Sequence, residues 1–273
     1  MSSLKTPSVP AVERTLAVFE VLASSHSGVP LSDLVRRLGV PKSSLHCLLL
    51  TLERSGYVNR SEKTGKYALG WKVAALANAA LSGLKLRELA TPHLRSLSLQ
   101  TRLTVHMGIL EHGEVLLVDK FACPDTTRIS TWPGKRMDMH CTAIGKALIA
   151  SLPDGQIDGL VRERPLFRHN DNTIVALRRL KEELARVRQM GYAVDDEEEE
   201  IGSRCIGAPV LSSSGTAVAA ISLSGTTSQI TPENLPPLAS LIKSTAARIA
   251  EDIQLGEVAA ERSGSERARS RCP

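Results

Sequence analysis

The chain has 273 residues, enough for two ordinary domains, and its 42% apolar and 23% charged residues exclude a disordered or fibrous chain. Aromatic residues make up only 3%, which argues against a ring-lined polysaccharide cleft or an RNA-stacking sheet. The net charge of +5 is uneven: residues 1–90 hold twelve Lys or Arg against six Asp or Glu, and residues 91–273 hold 22 against 23, so the first third is a basic module suited to a polyanion.

Residues 1–10 read as a disordered N-terminus without the apolar centre of a signal peptide. From Ala11 to Ser24, Val12, Leu16, Phe19 and Leu22 recur at helical spacing and predict a well-buried helix. After the break at Gly28-Val29-Pro30, a short helix is expected over Leu31–Leu38, ended by Gly39. Pro41 suits the first position of the next helix, which runs to Gly56 and buries Leu45, Leu48, Leu49 and Leu52. Its other face carries Lys42, Ser43, Ser44, His46, Cys47, Leu50 and Thr51. Two helices joined by a Gly-containing turn match a helix-turn-helix. Small hydroxyl residues at the start of the second helix allow close approach to a major groove, and the free N–H groups there suit phosphate. Tyr57–Arg60 and Lys66–Gly70 flank a charged turn and predict a hairpin. A hairpin in this place is a wing, and it presents Arg60, Lys63 and Lys66 to phosphates or a minor groove. Residues 11–70 are therefore expected to be a winged helix-turn-helix that binds double-stranded DNA.

An Ala-rich helix is expected over 71–85, followed by a helix over Leu86–Gln100 in which Pro92 marks a kink or a new start. Leu103–Leu110 and Glu114–Phe121 predict a hairpin around His112-Gly113, and Thr127–Thr131 a short strand. Helices are expected over Thr142–Ser151, Asn172–Met190 and Pro232–Leu255, with a second hairpin formed by Cys205–Leu211 and Thr216–Ser224. Strands and helices in mixed order make residues 86–255 an α+β domain. The polar segment 256–273 reads as a disordered tail.

No dinucleotide-binding glycine pattern, phosphate-binding P-loop, nucleophile elbow or zinc-protease helix is present, which lowers the case for an enzyme. No run of about 18 apolar residues suggests a membrane span. Cys47, Cys123, Cys141, Cys205 and Cys272 form no C-x-x-C pair, which fits reduced thiols in a cytoplasm.

Several segments resemble the IclR family of bacterial transcriptional regulators: VERTLAVFEVLA, LSDLVRRLGVPKSSLHCLLLTLERSGYV and TGKYALG near the start, and MHCTAIGKALIA, GYAVDDEEEEIGSRCIGAPV and AAISLSG with TPENLPPL later. Together they span roughly residues 11–253. The resemblance implies a linker helix that helps dimerise the DNA-binding domains, then a GAF-like α+β domain for effector binding and oligomerisation. It implies operator DNA, a small organic acid effector and a homodimer or homotetramer (dimer of dimers) as partners, with no cofactor, no membrane and no catalysis. It places the effector pocket at the turn around Ala143 and Ile144, at Asp195 and Cys205, at Ser222 and Ser224, and at the wall residues Thr126 and Ile129. Cys47 departs from the family, which often has a basic residue directly after the recognition-helix histidine, so altered operator preference is expected.

Two other readings stand beside this one. A thiol enzyme would use Cys141 or Cys205 with His106 or His140 as base. A metal sensor would use His106, His112, His140, Cys141 and Cys205, although their spacing is not that of a known zinc site. Within the acidic run Asp195–Glu200, only Asp195 is expected in the pocket, the rest facing water or an oligomer partner.

Overall fold

A computed structural model describes residues 8–25, 27–82, 85–122 and 129–269. The chain forms two compact units, the first ending at Gly83 and the second beginning at Leu84.

The first unit opens with α1 (Pro10–Ala23), α2 (Leu31–Leu38) and α3 (Lys42–Arg54). Gly39 follows α2 at φ 63°, a left-handed turn that lets the chain reverse into α3 without the strain a side chain would bring. Pro41 precedes α3 in extended conformation, with its carbonyl accepting the Leu45 N–H, so it caps the helix from outside instead of occupying its first turn. Leu45 and Leu49 are wholly buried against Val18, Leu22 and Leu34. Full burial of each such leucine contributes about 2–3 kcal/mol. The strands β1 (Val58–Arg60) and β2 (Tyr67–Leu69) pair antiparallel as the wing, and Val29 bonds Tyr67 on its other edge. α4 (Trp71–Ser82) closes the unit.

One expectation fails here. α1 buries Val18 and Leu22, whereas Val12 and Leu16 stay more than half exposed. Within this unit α2, α3 and β2 cover the stripe of α1 that carries Val18 and Leu22, and Val12 and Leu16 lie off that stripe.

The second unit opens with α5 (Lys85–Thr101), which runs unbroken across Pro92 where a kink or restart was expected. Its sheet has six antiparallel strands in the order β5-β4-β3-β8-β7-β6: β3 (Thr104–Glu111), β4 (Glu114–Phe121), β5 (Arg136–Asp138), β6 (Ala193–Asp196), β7 (Ser203–Leu211) and β8 (Ala217–Thr226). Residues Ala219–Gly225 of β8 are all buried, so both sheet faces are covered. α6 (Ala143–Ile149), α7 (Asp154–Glu163) and α8 (Leu177–Met190) build a core with Val115, Leu117 and Ala220. α9 (Leu235–Arg269) packs on β7, β8 and α5.

Residues 129–131 are not a strand, and the rest of that expected strand lies outside the described residues. α8 begins at Leu177, five residues late, because Thr173 and Asn170 bond local backbone N–H groups and hold 169–173 as a turn. The tail expected to be disordered is helical in its backbone through Arg269, where Ala, Glu and Arg favour continuation of α9.

Candidate functional site

The first surface is α3 with the wing. Lys42, Ser43 and Ser44 are exposed in the first turn of α3, and His46 is half-buried beside them. No side chain caps this helix start, so its first N–H groups remain available to an anion. Thr51 is exposed at the far end, but its hydroxyl donates to the Cys47 carbonyl at 2.9 Å and is spent within the helix. Arg60 and Lys63 stand exposed on the wing and Lys66 is half-buried; the Arg60 guanidinium lies 5.6 Å from the Tyr67 ring centre, which steadies its stem. Cys47 is exposed on the same helix.

The second surface is a cavity of ≈ 300 Å³ in the α+β unit. Sheet register assembles one wall. Asp195 pairs with Cys205, Cys205 with Ser224, and Ser222 with His106, so residues more than a hundred positions apart share a face. Ser222 and Ser224 alternate along β8 and point to the same side. The opposite wall is the first turn of α6, with Thr142, Ala143 and Ile144, and Ile129, Ser130 and Thr131 form a third side.

Two glycines allow α6 to sit so close. A Cβ on Gly207 would lie 2.4 Å from the Ala143 carbonyl oxygen, and one on Gly145 would lie 2.5 Å from Met139 backbone. Thr142 accepts the Gly145 N–H at 3.1 Å, which leaves the N–H groups of Ala143 and Ile144 without intrahelical partners beside the cavity.

Of the expected pocket residues, the cavity brings together Ile129, Ala143, Ile144, Asp195, Cys205, Ser222 and Ser224. Thr126 lies outside the described residues. The sequence reading missed His106, Thr131, Lys135, His169 and Glu199 as wall residues. His106 was legible as a lone polar residue in an apolar strand, whereas Lys135 and His169 sit in segments without periodicity.

His106 is buried, with Nε2 2.7 Å from Thr131 Oγ1 and Nδ1 3.3 Å from Ser224 Oγ. Burial, then Lys120 and Lys135, push its pKa down to about 3, so it is a neutral ring that can offer one N–H. Asp195 moves the other way: burial raises it to about 7, opposed by the Glu198 N–H it accepts at 2.9 Å and by Lys146. Glu199 is also raised by burial, with Lys135 and His169 holding it back. The cavity thus offers donors (hydroxyls, backbone N–H groups, Lys135) together with two carboxyls, Asp195 and Glu199, whose pKa values burial raises.

The acidic run is not a solvated cluster. Glu198 is buried and bonded to the wholly buried Lys146, with Glu183 3.8 Å away. Asn170 and Thr173 bond the Glu197 and Glu198 carbonyls and clamp the turn. A lysine inside an apolar helix and an acid in a charge run become partners only once the chain folds.

The thiol-enzyme geometry is absent among the described residues. Burial pushes Cys205 up to about 12 and Cys141 upward too, the reverse of an activated thiolate. The His140 ring bonds the Phe167 carbonyl at 2.9 Å, and His106 is held by hydroxyls. The five residues of the metal reading form no common ligand cluster among the described residues; Cys141 groups instead with Asp138 and His169.

A chain that carries a winged helix-turn-helix unit and a separate α+β unit falls in the class of helix-turn-helix DNA-binding regulators. Residues 11–62 match the IclR helix-turn-helix domain, and residues 78–251 match the bacterial transcriptional regulator IclR C-terminal domain. The chain belongs to the IclR family of DNA-binding transcriptional regulators. The transcriptional repressor IclR of Escherichia coli K12 is 31% identical over 246 residues, 89% of this chain and 90% of that one. The HTH-type transcriptional regulator XynR of the same organism is 33% identical over 224 residues, 82% and 89% of the two chains. The crystal structure of Thermotoga maritima IclR matches with a TM-score of 0.75 at 27% identity, covering 88% of this chain and 97% of that one. A homologue from Microbacterium hydrocarbonoxydans, solved with 4-hydroxybenzoate, shares the fold with a TM-score of 0.79 at 24% identity, covering 90% and 99%. No helix among the described residues is long and apolar enough to cross a membrane.

Proposed function

We propose that this protein is a cytoplasmic, non-enzymatic regulator of a catabolic operon whose hold on operator DNA is set by a small organic acid. The observation that carries the reading is the cavity of ≈ 300 Å³, lined by Ala143 and Ile144 at the start of α6 together with Ser222, Ser224, Asp195 and Cys205. That volume suits a ligand of few heavy atoms. The backbone N–H groups and Lys135 receive the carboxylate, while the serines, His106 and Asp195 receive hydroxyl or keto oxygens. The sparse aromatic content leaves few rings to stack on an aromatic acid, which favours an aliphatic one. The Microbacterium relative with 4-hydroxybenzoate bound supports acid recognition in this fold.

On the DNA side, Lys42, Ser43, Ser44 and His46 enter the major groove, and Arg60, Lys63 and Lys66 bind phosphate or reach the minor groove. Thr51 is a peripheral contact at most, since its hydroxyl is already bonded. The active species is a homodimer or a dimer of dimers reading two half-sites. Effector binding acts by favouring one arrangement of the DNA-binding units, to the extent that it binds that arrangement better.

A thermal-shift screen of small carboxylic acids, followed by operator binding with and without the hit, tests this. An acid that raises the melting temperature and changes operator affinity is the expected result. A stabilising acid that leaves operator affinity unchanged, or a broad acid panel without any hit, overturns the effector reading.

A further inference from the structure

The outer face of α3 carries groups that phosphate binding leaves unused. Leu45, Leu49 and Leu52 are buried and mark the inner side of the helix. At about 3.6 residues per turn, the positions opposite them are Ser43, Cys47, Leu50 and Arg54, at alternate helical spacings along one ridge. All of these are exposed, and Leu50 keeps 46% of its surface in water. The ends of the ridge are polar, while its middle is a thiol and an isobutyl group. Thr51 flanks that middle, and because its hydroxyl is spent on the Cys47 carbonyl at 2.9 Å, its methyl group is its free end. We propose that Cys47 and Leu50 select the operator by packing against the C5-methyl groups of thymines in the major groove. This inference rests on the reading that α3 enters that groove.

Each base pair shows the major groove its own pattern of donors and acceptors, and thymine adds a methyl group. Leucine has no hydrogen-bonding atom, and a thiol is a weak donor and a weak acceptor. Neither side chain can therefore answer the acceptors of guanine or the paired donor and acceptor of adenine. The thymine methyl is the base-edge feature that an apolar side chain recognises. A polar base edge set against Leu50 loses water without gaining a partner, so the same contact that favours thymine rejects the other bases. Three residues advance about 4.5 Å along a helix, near the base-pair spacing of about 3.4 Å, so Cys47 and Leu50 address neighbouring base pairs.

The charges around the ridge suit DNA better than an apolar protein surface. Lys42 and Arg54 stand exposed at the two ends of α3, and Arg14 of α1 lines a groove together with Cys47 and Thr51. A protein that covered Leu50 would have to cover these cations as well, whereas the phosphates that border a major groove neutralise them. The cations hold the helix in the groove, and the apolar middle of the ridge reads the sequence.

The test selects preferred duplexes for the full chain from a random-sequence pool, with reductant present so that Cys47 stays a thiol. Each thymine of the selected site is then replaced by deoxyuridine, which lacks only the C5-methyl group. Thymines at two neighbouring base pairs of a half-site should each lose about fourfold in affinity, the worth of one buried methyl group. Leu50→Ala, at an exposed position and with unchanged circular dichroism, should erase the loss at one of these base pairs and keep it at the other. Cys47→Arg should move the preference at the other from thymine to guanine, whose O6 and N7 accept a guanidinium. Affinity that ignores every methyl group overturns the proposal, and so does a folded Leu50→Ala chain that keeps both losses. If Leu50→Ala changes the sedimentation of the free protein and leaves methyl sensitivity intact, the ridge meets a second copy and the proposal falls. A chain that enriches no duplex overturns the DNA reading itself, whereas binding that is blind to the methyl groups overturns this inference alone.

Discussion

In the first unit the chemistry-bearing groups stand in water: Lys42, Lys63 and Arg60 are exposed, and no side chain caps the start of α3. In the second unit they are inside: Lys146 is wholly buried, Glu198 is buried against it, and Asp195, His106, Ser222 and Ser224 line a closed wall. The partner of the first surface is external, so its cations are left unneutralised by the fold. Burial in the second unit removes water from its polar groups, so they pair within the fold, as Lys146 does with Glu198 and His106 with Thr131. Substitutions should therefore cost affinity in one unit and stability in the other.

The largest effect is expected at Lys146. Lys146→Met leaves Glu198 buried without its cation, a loss of about 3–5 kcal/mol in urea unfolding at neutral pH. The loss should shrink in acid, where the carboxyl is protonated in both folded and unfolded chains. Replacing both partners, as Lys146→Met with Glu198→Leu, should recover most of it. If the single variant is as stable as the parent, buried pairing is not what distinguishes the second unit.

Next comes the close approach of α6 to the sheet. Gly207→Ala forces a Cβ against the Ala143 carbonyl and should cost about 1–3 kcal/mol in thermal unfolding. It should also weaken any acid ligand, because the displaced backbone is the cavity wall.

Asp195 tests the electrostatics of that wall. Its folded pKa, about 7, lies above that of an exposed carboxyl. Between about pH 4 and 7 the folded chain therefore holds a proton that the unfolded chain releases, and stability falls as pH rises through that window. Asp195→Asn should flatten this decline, with a gain that is greatest near neutral pH and vanishes near pH 4. His106 has the opposite sign: its depressed pKa costs stability as pH falls below about 6.5. A melting-temperature series against pH for each variant separates the two.

The smallest effect on stability, and a clear one on binding, is expected on the wing. Lys63→Ala should leave unfolding unchanged within about 0.5 kcal/mol. It should lower the slope of log affinity against log salt by about one, equally for specific and nonspecific DNA. A substitution that instead changes base preference would move Lys63 from phosphate to base contact.

The DNA-reading unit was largely legible because its signals are local. Gly39, the leucine stripe of α3 and the charged wing turn lie within a few residues of one another, and helical or strand periodicity places them directly. Val12 and Leu16 show the limit: periodicity marks an apolar stripe but not whether a neighbour covers it. The cavity was legible through the family resemblance at Asp195, Cys205, Ser222 and Ser224. His106, Thr131, Lys135, His169 and Glu199 were not, because strand register and irregular segments bring them in. α7 and β5 went unseen for a related reason: α7 fully buries one residue, Ile157, and β5 has three residues, too few to show a period.

By itself the sequence determined the order of units, the basic first third, the helix-turn-helix with its wing, and the glycines at 145 and 207 that let α6 lie close to its neighbours. Its family segments carried the membership. The tertiary structure decided which charges are paired, which thiols are buried, and that Asp138, Cys141 and His169 share one corner. The division follows from range. Propensity, capping and amphipathic spacing act over a handful of residues and are written in the chain, whereas pairing Lys146 with Glu198 or His106 with Ser222 depends on strand order and close packing.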